Sequence, residues 1–127
     1  MTKINELYRC EVCGNIVGVF HSASGKLVCC GRQMENIPEK TVEEGKEKHV
    51  PVIEKTENGI IVKVSAVPHP MDDTHYIEWI EVSPGDSVLI HGLRRGEKPE
   101  FEFPVHNADV KVRAYCNKHR LWANRPR

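Results

Sequence analysis

The chain has 127 residues, and its 18 Lys+Arg balance 18 Asp+Glu, so the formal charge is zero with neutral histidines. That balance gives no support for wholesale binding of nucleic acid or an anionic membrane surface. Five cysteines and seven histidines in so short a chain point instead to metal or redox chemistry. The opening stretch, MTKINELYRCEVCG, has no apolar signal core, and nothing approaches the ~20 apolar residues of a transmembrane span. A cytoplasmic chain without nucleic-acid or membrane partners is expected, and in a reducing compartment thiols serve metals before disulfides. No Gly-rich phosphate loop, nucleophile elbow or internal repeat is visible.

Residues 1–36 form the first expected module. They hold Cys10, Cys13, Cys29 and Cys30 in the order C-x2-C-x15-C-C, with few large apolar side chains. Four thiolates suit a tetrahedral zinc or iron site, and the first pair has the spacing of a metal knuckle. A module of this size lies below the roughly 40 residues that fold on a core alone. A structural metal contributes about 10–16 kcal/mol of apparent binding free energy, enough to decide whether such a module folds. Neighbouring Cys29 and Cys30 cannot both adopt relaxed knuckle geometry, so a distorted tetrahedron is expected. Distortion would alter the electronics of iron and serve no obvious purpose at a scaffold zinc, but the residues alone leave both metals open.

The next stretch, IPEKTVEEGKEK (37–48), is charged, carries Pro38 and Gly45, and reads as a linker. From residue 49 to 127 the pattern is alternation. VPVIEKT (50–56), IIVKVSAV (60–67), YIEWIEV (76–82), SVLIHGL (87–93), EFEFPVH (100–106) and DVKVRAYC (109–116) are strand-like, separated by turn residues. Asn58-Gly59 is the strongest local hairpin signal. Residues 86–108 read as a long hairpin from pattern alone. Short β-branched and aromatic runs without a helical stripe predict an all-β chain, its larger part an antiparallel sandwich or barrel with little helix.

The larger module also contains His49, His69, His75, His91, His106, Cys116 and His119. A single histidine is more often a surface or core residue than a ligand, so context must separate them. His69 lies in VPHPM, where two prolines stiffen a loop. His49 and His75 head two strand-like runs, and Cys116 and His119 bracket a turn, close enough to bind one ion.

Taken together, C-x2-C-x15-C-C, EKHVPVIE, PHPM, HYIEWIE and YCNKH-x-LW resemble the desulfoferrodoxin family, the two-iron form of superoxide reductase. The resemblance covers essentially the whole chain with the motifs in the family's order. It implies a desulforedoxin-like module whose iron is held by Cys10, Cys13, Cys29 and Cys30. It also implies an immunoglobulin-like β-sandwich whose catalytic iron is held by His49, His69, His75, Cys116 and His119, with Cys116 as axial thiolate and one position open. Superoxide would be reduced there to hydrogen peroxide. Lys48 resembles the lysine that attracts the anion and supports proton delivery, and Glu47 the glutamate that closes the open position after oxidation. A rubredoxin-like electron donor and a homodimer are further implications. His21, His91 and His106 match no motif. The family's last motif is close to CNIHGLW, and here Lys118 and Arg120 replace its Ile and Gly. Where that glycine serves a positive φ, Arg120 is the residue at which the turn's geometry is open.

Other classes remain to be distinguished. A zinc ribbon joined to an immunoglobulin-like interaction domain would be colourless and non-enzymatic. A non-enzymatic electron carrier of the blue-copper kind would use two histidines, one cysteine and a methionine just after the last histidine, and no methionine follows His119. A dismutase would need no external electron.

Overall fold

The computed structural model describes residues 1–42, 49–64 and 71–125. It divides into two compact units, Met1–Pro38 and Glu39–Arg127. Among the described residues every regular element is a strand, and no helix is long and apolar enough to cross a membrane.

The first unit is built from tight hairpins. Strand β1 (Leu7–Arg9) pairs antiparallel with β2 (Ile16–Gly18) and with β5 (Glu35–Asn36), while β3 (Val28–Cys29) pairs with β4 (Arg32–Gln33). Leu7, Val19, Met34 and Ile37 supply its small apolar interior. So few buried side chains cannot offset the ordering entropy of this many residues, so the unit's shape must lean on its cysteine cluster.

The second unit carries two facing sheets. One has the order β10-β7-β6, from β6 (Pro51–Lys55), β7 (Ile60–Val64) and β10 (Glu100–Phe103). The other has the order β12-β11-β8-β9, from β8 (Ile77–Ser83), β9 (Leu89–Gly92), β11 (Lys111–Cys116) and β12 (Arg120–Ala123). Alternate residues face inward: Ile60, Val62 and Val64 from one sheet meet Ile80, Val82, Val112 and Ala114 from the other. Three strands packed on four, all antiparallel, make a sandwich, one of the two forms the alternation allowed and the immunoglobulin-like one that the resemblance implies.

Asn58-Gly59 does close a hairpin, with Lys55 opposite Ile60 and the Thr56 N–H on the Gly59 carbonyl at 2.9 Å. Gly59 is needed for space as well as for its turn. A Cβ there would lie 2.1 Å from the Phe103 carbonyl oxygen. The expected long hairpin over 86–108 is not formed. Strand β9 pairs with β8 and β10 with β7, so the chain crosses from one sheet to the other between them. Both runs alternate, and alternation gives a strand's buried face without naming its neighbour.

The outer face of the four-stranded sheet is also covered. Glu81 and Arg113 are only 2% and 7% exposed there. Arg113 donates to Glu81 from Nε at 2.8 Å and Nη2 at 2.7 Å, and from Nη1 to Glu39 at 3.1 Å. Lys111 also pairs with Glu39, and Trp79 Nε1 donates to Glu81 at 2.9 Å. Burial pushes the Glu39 carboxyl up, but hydrogen bonds and charge from Lys111 and Arg113 outweigh it and hold the group below its ordinary range. Glu39 and Lys40 fall within the stretch read as a linker, and both are bonded to the second unit. The Lys40 N–H donates to Leu121 O at 3.0 Å and its carbonyl accepts from Ala123 N at 2.8 Å.

Candidate metal centres

Two groups of metal-binding side chains converge among the described residues. Cys10, Cys13, Cys29 and Cys30 form one, and His49, His75, Cys116 and His119 the other, with the ligand atoms of each within 4.8 Å of one another. Glu47, Lys48 and His69, also expected at the second centre, lie outside the described residues. Of the histidines left without a motif, His91 stacks on Phe101 at 3.6 Å and joins neither cluster.

Each half of the first cluster is the tip of a hairpin. Cys10 and Cys13 lie in the loop joining β1 to β2, where Gly14, at φ 82°, sends its N–H back to the Cys10 carbonyl at 2.9 Å. Cys29 ends β3 opposite Arg32, so Cys30 and Gly31 form a two-residue turn. Their φ values of 52° and 72° define the primed turn favoured by hairpin twist, which requires positive φ at both positions. This is how adjacent cysteines serve one site: one sulfur leaves the strand end, and the next leaves the turn.

The sulfur spacing fits a metal. Cys13 and Cys29 Sγ are 3.6 Å apart, and Cys29 and Cys30 Sγ 3.9 Å. A tetrahedron with metal–sulfur bonds of about 2.3 Å has edges of about 3.8 Å. Hydrogen bonds bias the set toward thiolate at one corner, since the Cys13 N–H donated to Cys10 Sγ at 3.4 Å helps bring that thiol down to about 6. Contacts with the Cys13 and Cys29 side chains push Cys30 up to about 12. Four sulfurs this close oppose each other's ionisation, and a bound cation relieves that opposition.

In the second cluster the thiolate comes from the sheet and the imidazoles from loops. Cys116 is fully buried at the end of β11, the strand between β8 and β12. His119 lies in the turn to β12, and His49 and His75 precede β6 and β8. His119 Nδ1 is 3.1 Å from His49 Nε2 and 3.8 Å from Cys116 Sγ. Neighbouring nitrogens on a metal with bonds of about 2.1 Å lie about 3.0 Å apart. The donor set therefore fits one ion, with His119 presenting Nδ1 and His49 presenting Nε2.

Three residues not singled out from sequence hold these ligands. Asp72 Oδ1 accepts the backbone N–H groups of Thr74 at 3.0 Å and His75 at 2.8 Å, which fixes the approach to His75 and keeps the Asp72 carboxyl below its usual range. Asn117 ties that loop to the thiolate turn. Its Oδ1 accepts from Tyr76 N at 2.9 Å and its Nδ2 donates to Thr74 O at 3.0 Å. Trp122 stacks on His49 with centroids 4.6 Å apart, and its Nε1 donates to His119 O at 3.0 Å. The motif YCNKH-x-LW contained both Asn117 and Trp122, but only the fold shows what they touch.

Arg120 adopts φ 69°. The positive φ is kept although the residue is not glycine, and Cys116 still pairs with Arg120 across the hairpin. A three-residue loop followed by a left-handed residue is a common hairpin closure. The turn survives the substitution, at a conformational cost of roughly 1–2 kcal/mol.

A four-thiolate module and an all-β sandwich with a histidine–cysteine centre define a protein with two metal centres of different donor sets. Family models described as desulfoferrodoxin N-terminal domain and desulfoferrodoxin match residues 2–37 and 41–125. The chain belongs to the desulfoferrodoxin family. It is 53% identical to a desulfoferrodoxin of Syntrophotalea carbinolica over 98% of both chains. A desulfoferrodoxin homolog of Methanothermobacter thermautotrophicus is also 53% identical, covering 96% of this chain and 99% of its own. Among solved structures, the superoxide reductase of Treponema pallidum aligns with a TM-score of 0.76 and 27% identity, over 94% of this chain and 97% of its own.

Proposed function

We propose that this protein is a superoxide reductase, carrying out the one-electron reduction of superoxide to hydrogen peroxide at its histidine–cysteine iron centre. The observation that carries the reading is the convergence of Cys116 Sγ with imidazole nitrogens of His49, His75 and His119 in a chain of this family. Bound iron would supply the electron, with a thiolate donor raising its reducing power. The protein's own part is to fix the donors. Cys116 is held on a strand bonded on both sides, and His119 and His49 are braced by Trp122. The His119 N–H lies 3.5 Å from Cys116 Sγ and moderates the charge on that sulfur.

His69 completes the imidazole set in this reading, Lys48 draws in the anion, and Glu47 supplies a carboxylate to the open position in the oxidised state. Their support is the motifs EKHVPV and PHPM, shared with the family. Each superoxide consumes one external electron and two protons, so a small one-electron carrier of the rubredoxin kind is the inferred donor. Self-association into a homodimer is supported by exposed apolar side chains on the first unit, among them Phe20 at 85% and Val28 at 63% exposure.

The test is stoichiometry. Iron-loaded protein, supplied with excess reductant and a superoxide flux, should yield one hydrogen peroxide per superoxide consumed. A ratio of one to two would mean dismutation, and inactive iron-loaded protein would end the reductase reading.

A further inference from the structure

Asn15 sits where the two hairpin tips of the four-thiolate centre meet. Its carbonyl accepts the Cys10 N–H at 2.9 Å, its own N–H lies 3.5 Å from Cys13 Sγ, and its side-chain Nδ2 lies 3.8 Å from Cys29 Sγ. It thus touches three of the four ligand residues and joins the knuckle to the turn.

We propose that Asn15 sets the reduction potential of the four-thiolate centre, as a positioning residue acting through the Cys13 and Cys29 sulfurs. The inference rests on iron at that centre. A ferric ion with four thiolates has one net negative charge, and adding an electron makes it two. An N–H aimed at a ligand sulfur interacts more strongly with the more negative, ferrous state and so raises the potential. The backbone N–H belongs to any residue at this position, whereas the bond to Cys29 belongs to the asparagine amide. Asn15 is exposed, and its removal leaves no buried void. The potential of this centre decides which carriers it can exchange electrons with, so Asn15 would bear on donor choice without touching superoxide.

The test is spectroelectrochemical titration of the full two-iron chain and its Asn15→Ala and Asn15→Asp variants. The second centre serves as internal reference. Asn15→Ala should lower the ferrous-to-ferric ratio at a fixed applied potential by about three- to tenfold, the upper figure corresponding to 59 mV for one electron. Asn15→Asp keeps the side chain's shape, exchanges the donor for a negative charge, and should lower the ratio further. The second centre should not move in either variant. An unchanged first-centre potential in both variants would overturn the proposal, even if thermal stability fell, because Asn15 would then be purely structural. Failure of both variants to retain iron would also overturn it, since one long bond to sulfur would be holding the centre together. Unsubstituted protein that binds only redox-silent metal at the four cysteines would refute the iron reading itself.

Discussion

Trp122 links two ligands that come from opposite ends of the sandwich sequence, so its substitution should be felt at the metal and in stability together. It is 1% exposed, covers the His49 ring, and donates to the His119 carbonyl. Trp122→Phe keeps an aromatic face for His49 and removes the Nε1–H. Losing that bond costs about 1–2 kcal/mol, and the smaller ring leaves unfilled volume worth roughly another 1 kcal/mol. At about 4–8 °C per kcal/mol, the sandwich should melt about 10–20 °C lower. Trp122→Leu removes the stacking surface as well and should go further, with weaker iron retention at the second centre. Calorimetry of the metal-loaded chain measures the first effect, and competition with an iron chelator monitored at the thiolate-to-iron absorption measures the second. The four-thiolate spectrum should persist in both variants. If Trp122→Leu melts within about 2 °C of the unsubstituted protein and holds its second iron equally well, Trp122 fills space and braces nothing.

Replacing Arg120 by glycine removes the left-handed strain but adds backbone entropy to the unfolded chain, so a net stabilisation of up to ~1 kcal/mol is expected, read as a higher melting temperature with both iron spectra unchanged. A loss of stability would show that the arginine side chain contributes more than its φ costs. The Glu39 carboxyl has a folded-state pKa depressed below its ordinary 4.5, so its contribution is present above that value and lost as the pH falls through the folded pKa. Stability curves of the unsubstituted protein and Glu39→Gln should therefore differ at neutral pH and converge in acid; parallel curves would refute the assignment. If Lys48 draws in the anion as proposed, a unit charge taken at about 6 Å with an effective dielectric near 20 would contribute roughly 3 kcal/mol before screening. Lys48→Ile should slow the reaction with superoxide by tenfold to a hundredfold and flatten its salt dependence in stopped-flow or pulse-radiolysis measurements. A wild-type rate would make Lys48 an ordinary surface residue.

The four cysteines that converge in the first cluster were legible from their spacing, whereas His49, His75, Cys116 and His119 were separated from the other histidines only by motifs shared with the family. Strands were legible from pattern, as the period-two burial of Ile60, Val62 and Val64 is written directly in IIVKV. Pairing was not. Strands β9 and β10 read as partners because they follow one another, yet the chain changes sheets between them. Strand β12 went unread because four residues starting from a positive φ carry little alternation. Arg113 and Glu81 look like solvent-facing positions, and their burial depends on Glu39 folding across from more than forty residues away. Asn117 and Trp122 have common residue types whose role lies wholly in what they reach. The primed turn at Cys30-Gly31 was half visible, since glycine at its second position is a usual choice, but a cysteine at the first masks the turn.

The second centre draws its donors from unequal places. Cys116 belongs to a strand hydrogen-bonded on both sides, whose amides should be among the last in the sandwich to exchange with deuterium. His75 stands in a loop ordered by one aspartate and one asparagine. Small openings of that loop leave the strand intact, so an imidazole should let go while the thiolate still holds. Demetallation should then begin with a species that has lost His75 while Cys116 still holds, and the ease of reaching it would be governed by the Asp72 and Asn117 contacts far more than by the strength of the sandwich core.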